Sequence, residues 1–174
     1  MDLLIRREDE KDYDTVYKVV KTAFETMELA DGDEQDLVNR LRESQAFIPE
    51  LSLVAECDGK VIGHILFTKM KIGDHPSLAL APVAVLPEYQ KQGVGAKLII
   101  EGHRIARELG YGSVIIVGHP AYYPRFGYTP ASTWNITAPF EVPDEAFMAM
   151  ELVEGGLNGV SGEIEYAKEF FDSA

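Results

Sequence analysis

The segment Val83-Ala84-Val85-Leu86-Pro87-Glu88-Tyr89-Gln90-Lys91-Gln92-Gly93-Val94-Gly95-Ala96 constrains the fold more than any other stretch of the chain. It reads as a strand that Pro87 closes, a glycine-bearing turn, and the start of a helix. The helix spacing continues to about Leu109, with Val94, Leu98, Ile105 and Leu109 on its apolar side and Gly110 as its stop. Ser113 to Val117 then follows as a short, wholly apolar strand of the type buried in parallel pairing. A strand, a helix and a second buried strand in this order require a sheet with a helix packed on it.

The turn also carries chemistry. Gly93 and Gly95 let a ligand approach the backbone closely, and the first-turn amides of a helix have no intrahelical acceptors. With the helix dipole they suit an anion such as a pyrophosphate. Lys91 and Lys97 add positive charge beside them. The Walker loop is excluded because no Gly-Lys-Ser/Thr ending follows, and the dinucleotide fingerprint because it needs a third glycine. A plain tight turn remains the competing reading at this stage.

Other elements follow from local pattern. Leu3 to Arg6 suits a first strand; Tyr13, Val16, Tyr17, Val20, Ala23, Phe24 and Met27 recur at helical spacing, and a second helix fits Glu34 to Glu43. Leu51–Glu56 and Val61–Thr68 are strands joined at Asp58-Gly59, both of which tolerate positive φ. Leu78–Leu86 is a strand whose Pro82 lacks a ladder donor, so a bulge or an unpaired edge is expected there. Ala121 to Phe126 reads as a short helix and Phe147 to Leu152 as a late strand. The order β-α-α-β-β-β-α-β-α-β gives a mixed α/β domain with one central sheet.

The length of 174 residues fits one domain. A net charge of −13 disfavours a nucleic-acid partner and favours small cations such as amines. Cys57 has no second cysteine to pair with, the start of the chain does not read as a signal peptide, and no apolar run is long enough to cross a bilayer. A cytoplasmic protein with no membrane partner is therefore expected. One cysteine and the scattered His64, His75, His103 and His119 show no paired ligand spacing, so no metal is expected.

The Gln90-x-x-Gly93-x-Gly95 run after a strand ending in Pro87 resembles the acyl-CoA pyrophosphate loop of the GNAT superfamily of N-acetyltransferases. Tyr123-Pro124-Arg125-Phe126-Gly127-Tyr128 resembles that superfamily's second signature, an aromatic-centred helix ending in glycine and an aromatic residue. Gly63-His64-Ile65-Leu66-Phe67, Gly118-His119-Pro120-Ala121-Tyr122-Tyr123 and Phe147-Met148-Ala149-Met150-Glu151-Leu152 are similar to a bacterial branch known only as N-acetyltransferases. The resemblance covers about residues 3–140, leaving about 141–174 as an extension of a single domain spanning 1–174. It implies a mostly antiparallel mixed sheet, splayed at the middle strands and flanked by helices.

The resemblance also implies roles. Acetyl-CoA is the co-substrate. The amides of Gln92, Gly93, Val94, Gly95 and Ala96 hold its pyrophosphate, with Gln90, Lys91 and Lys97 around them. Main-chain groups of the Val83-Ala84-Val85 strand pair with the pantetheine arm as an added strand would. Tyr123 matches the tyrosine that protonates the departing thiolate, with Tyr122 as its alternative. Glu28, Asp31 and Glu34 border the acceptor groove, and His119 follows the strand where the sheet halves part. The expected reaction is direct acetyl transfer to an amine of a small molecule or peptide. A non-catalytic acyl-CoA sensor and a longer acyl donor remain alternatives, and a homodimer is left open.

Overall fold

The computed structural model describes residues 2–25 and 32–171. Among these residues nine strands and three α-helices run in the order β1 (Leu3–Arg7), α1 (Tyr13–Glu25), α2 (Glu34–Arg42), β2 (Phe47–Cys57), β3 (Lys60–Ile72), β4 (His75–Val85), α3 (Val94–Glu108), β5 (Ser113–Val117), β6 (Thr129–Pro130), β7 (Ile136–Thr137), β8 (Phe147–Glu151) and β9 (Gly162–Glu165). The main sheet is ordered β1-β2-β3-β4-β5-β8-β6 and is antiparallel except between β4 and β5. β9 pairs with the far end of β3 and, in parallel, with β7.

The β2–β3 hairpin turns at Asp58 and Gly59, whose φ values of 51° and 80° match the twist of the strands they join. β2 begins earlier than its apolar pattern suggests. Phe47 pairs with Thr68, and an irregularity before Ser52 absorbs Pro49. α3 packs on the sheet through two glycines. Leu98 lies over Gly63, and Gly102 admits the Phe67 ring where a methyl group would collide with it. Its buried residues are Val94, Leu98, Ile99, Gly102, His103 and Ala106, while Leu109 is exposed, contrary to the sequence expectation.

A bulge in β4 positions the site. Ile65 pairs with Val83 and Phe67 with Leu80, so two steps on β3 face three on β4 and one residue near the cis Ala81–Pro82 bond is in excess. β4 and β5 then share only the pairs Leu78/Val114 and Ala79/Ile115. Beyond them the strands part, leaving a notch between the end of β4 and the end of β5. The expected bulge and splay are both present. A second apolar cluster, with Met70, Ile72, Ile115, Ile136, Phe147 and Ile164, seats the C-terminal segment on the lower sheet.

A buried polar group ties the N-terminal half together. Glu8 accepts from Arg42 Nη2 at 2.6 Å and Nε at 3.1 Å, and from Ser52 Oγ at 2.8 Å. Ser52 Oγ also lies 3.2 Å from His64 Nε2. The Arg42 guanidinium stacks 4.0 Å from the Tyr13 ring centre. Removing two charges from water is costly, and the fork of hydrogen bonds offsets that cost.

Candidate active site

Main-chain geometry along β4 builds one wall of the notch. Leu86 N donates to Ile62 O at 2.9 Å, which makes 62/86 and 64/84 the hydrogen-bonded pairs of this antiparallel ladder. The N–H and C=O groups of Val83 and Val85 therefore face away from β3, into the notch. Those of Ala84 are committed to His64, so Ala84 has no main-chain group for a ligand. Gln90 Nε2 donates to Val85 O at 2.9 Å, holding the turn against the strand end.

The turn delivers this edge directly to α3. Gly93 stands at the N-cap with φ 86°, a left-handed conformation that favours glycine, and a Cβ there would meet nothing within 4 Å. The first intrahelical bond runs from Lys97 N to Gly93 O at 3.1 Å. The amides of Val94, Gly95 and Ala96 thus precede the hydrogen-bond ladder and point out of the helix end. Val94 anchors the turn with a buried side chain, while Gln90, Lys91, Gln92 and Lys97 are exposed around it.

The opposite wall follows β5. Residues expected to form a helix make only a 3₁₀ turn, Tyr123–Phe126, because Pro124 opens it and left-handed Gly127 closes it. Tyr123 is 8% exposed, and its ring lies against Gly118, where a Cβ would stand 2.9 Å from Tyr123 Cδ2. The ring is perpendicular to those of Tyr122 and Tyr128, with centroids 5.1 and 5.8 Å away. Burial, and then the adjacent Tyr122, raise its hydroxyl well above the ordinary tyrosine pKa, so the phenol stays protonated at neutral pH. Tyr128 in turn hydrogen-bonds His103 Nε2 at 2.8 Å. Burial lowers the His103 pKa to about 4, so the ring is neutral.

The expected acceptor-side residues are less convergent. Glu28 and Asp31 lie outside the described residues. Glu34 opens α2, and its Oε1 accepts from Gly32 N at 3.1 Å. His119 is exposed, and its carbonyl accepts from Tyr122 N at 3.1 Å and Tyr123 N at 3.3 Å, fixing the start of the 3₁₀ turn. A cavity of about 690 Å³ lies at the other end of β4, lined by Lys69, Lys71, Ser77, Tyr111, Tyr166 and Lys168, and is separate from the notch. Among the described residues no cluster of three or more His, Cys, Asp or Glu could hold a metal ion.

Sequence reasoning offered Tyr122 only as the alternative to Tyr123 and gave it no place of its own. A Cβ built on Gly95 would lie 3.5 Å from the Tyr122 hydroxyl and 3.9 Å from Val85 Cγ2, so this phenol reaches across the notch to α3. No local pattern encodes that contact.

The family model for the acetyltransferase (GNAT) family matches residues 14–128. The chain is 43% identical over 126 residues to YjhQ of Escherichia coli, named an uncharacterized N-acetyltransferase, which covers 70% of each protein. It is 34% identical over 171 residues to the similarly named YhbS of the same species, covering 97% of this chain and 98% of that protein. The crystal structure of E. coli YhbS in complex with CoA superposes with a TM-score of 0.89 at 31% identity, covering 99% of this chain and 93% of that one. A GNAT family acetyltransferase from Brucella melitensis in complex with acetyl-CoA gives a TM-score of 0.81 at 31% identity, covering 97% and 98%.

Proposed function

The chain belongs to the GNAT acetyltransferase family, and on that premise we propose that it transfers an acetyl group from acetyl-CoA directly to a primary amine of a small molecule or peptide. The observation that carries the reading is the continuous edge in which the outward main-chain groups of Val83 and Val85 run into the amides of Val94 to Ala96. A pantetheine arm pairs with the first part as an extra strand, and the pyrophosphate sits on the second.

The residues supply each chemical requirement. The Val83 amide, beside the bulge, donates to the thioester carbonyl and to the negative charge that develops on its oxygen. The neutral amine attacks the carbonyl carbon, forming the C–N bond. The C–S bond then breaks, Tyr123 protonates the leaving sulfur, the new amide nitrogen loses its proton to solvent, and Tyr123 takes a proton back from solvent before the next turnover. No step needs a metal. The acidic chain, at −13, attracts a cationic acceptor over long range. The same reading places the enzyme in the cytoplasm as one catalytic unit; among the described residues no helix is long and apolar enough to cross a membrane.

Calorimetric titration with acetyl-CoA, beside a control carrying Gly93→Glu and Gly95→Glu, tests the donor site. One-site binding that the control loses supports it, and no binding by folded wild-type protein removes it. Thiol release across a panel of amines then tests turnover. Tyr123→Phe should lower kcat roughly a hundredfold with CoA affinity within twofold. Binding with no turnover on any amine would favour an acyl-CoA sensor.

A further inference from the structure

Two adjacent tyrosines stand at the notch, and the geometry separates their work. Tyr123 is buried against the end of β5. Tyr122 is half-buried and extends the other way, its hydroxyl 3.5 Å from where a Cβ on Gly95, in the first turn of α3, would stand. Three features fix it there. Its ring meets Phe126 edge to face at 70°, 5.3 Å away, and is nearly perpendicular to Tyr123. The Arg125 guanidinium carbon lies 4.5 Å from the ring centre. Arg125 Nε donates to Tyr122 O at 2.9 Å, so the cation is held by the same residue that it covers.

We propose that Tyr122 is a second-wall ligand of the acyl-CoA pyrophosphate, its hydroxyl donating to a phosphate oxygen that the Val94–Ala96 amides hold from the other side, with Arg125 supplying charge beside it. This rests on the donor-site reading above and goes beyond it in assigning a side chain of the β5 half to the phosphate group. The distance from Gly95 carries the assignment. A group bound over the free amides of a helix end lies within reach of a hydroxyl already poised there. Burial keeps that hydroxyl protonated and therefore a donor. An arginine over an aromatic face retains its outward N–H groups for an anion. Because Tyr122 comes from the β5 half and Gly95 follows the β4 half, the pair clasps the donor across the splay.

The test compares wild type, Tyr122→Phe and Tyr123→Phe by calorimetry with CoA and with dephospho-CoA, and by ³¹P NMR of bound CoA. Tyr122→Phe removes one oxygen and keeps the ring. A hydrogen bond to a charged group predicts about tenfold weaker binding of both ligands, with kcat at saturating acetyl-CoA within twofold. The pyrophosphate resonances should move and the 3′-phosphate resonance should not. Tyr123→Phe should show the reverse, unchanged affinity and lowered kcat. Unchanged affinity in Tyr122→Phe overturns the proposal, as does a loss confined to CoA, which would place the hydroxyl on the 3′-phosphate. A fall in kcat alone would make Tyr122 the proton donor and equally overturn it. Failure of wild type to bind CoA would instead remove the donor-site reading itself.

Discussion

Two neutral histidines in the core set how the fold responds to acid. His64 is fully buried among Glu8, Arg42 and Ser52, and His103 is buried beside Tyr128, Phe67 and Arg107. Burial is the dominant cause in both cases and lowers each pKa from 6.5 to about 4. For His64 the Glu8 carboxylate opposes that shift and Arg42 reinforces it; for His103, Arg107 reinforces it. The unfolded chain takes up protons as pH falls through 6.5, whereas the native state does so only near 4. Stability is therefore complete above about pH 7 and falls between those limits. At pH 5 each histidine costs about 2 kcal/mol, roughly 4 kcal/mol for the pair. Urea unfolding at pH 7.5, 6.5, 5.5 and 5.0 measures this loss. His64→Gln and His103→Gln keep polar side chains that do not titrate, so each should be less stable at pH 7.5 yet lose about half as much on acidification. Wild-type stability that is equal at pH 7.5 and 5.0 would refute the argument. So would an undiminished acid loss in both variants.

Other perturbations probe separate parts of the structure. Arg42→Met leaves the Glu8 carboxylate buried without its cation and should cost about 3 kcal/mol in urea unfolding, whereas exposed Lys11→Met should cost almost nothing. Gly118→Ala drives a methyl group against the Tyr123 ring, so kcat should fall at least tenfold while CoA affinity in calorimetry changes little. Gly102→Ala pushes the same group into Phe67 from inside α3. Overpacking should outweigh the gain in helix propensity and lower the unfolding free energy measured in urea by about 1 kcal/mol.

Legibility in the sequence followed the range of the interactions. The β2–β3 hairpin could be read because Asp58-Gly59 sits between two runs rich in Val, Ile, Leu and Phe, all within one local window. The loop at Gly93 and Gly95 could be read because turn residues and helix start are contiguous. β9 had no such signal. Its partner is the far end of β3, about half the length of the chain away in sequence, and only Ile164 of its four residues is buried. The buried face of α3 was misjudged at Leu109 because Gly102 and His103 do not look apolar, yet one admits Phe67 and the other finds the Tyr128 hydroxyl. The Glu8–Arg42 pair had no signal in the sequence, since nothing local announces that α2 will lay the arginine over the end of β1. Tyr122 was considered only as a stand-in for Tyr123, because its reach to Gly95 depends on how far β4 and β5 diverge.

The outward-facing main chain of Val83 and Val85 bears on how such a chain can diversify. An amide and a carbonyl are common to nearly every residue, so this edge survives any replacement that keeps the backbone extended. In a saturation scan, Ile, Thr or Phe at either position should be tolerated as far as strand packing allows, and proline alone removes the amide. Gly93 is restricted the other way, by its φ of 86° rather than by neighbours, since a Cβ there meets open space. Recognition written in torsion angles leaves side-chain chemistry free to drift elsewhere. Homologous enzymes built on this edge can therefore exchange one acceptor for another without redesigning the half of the cleft that β4 and its turn provide.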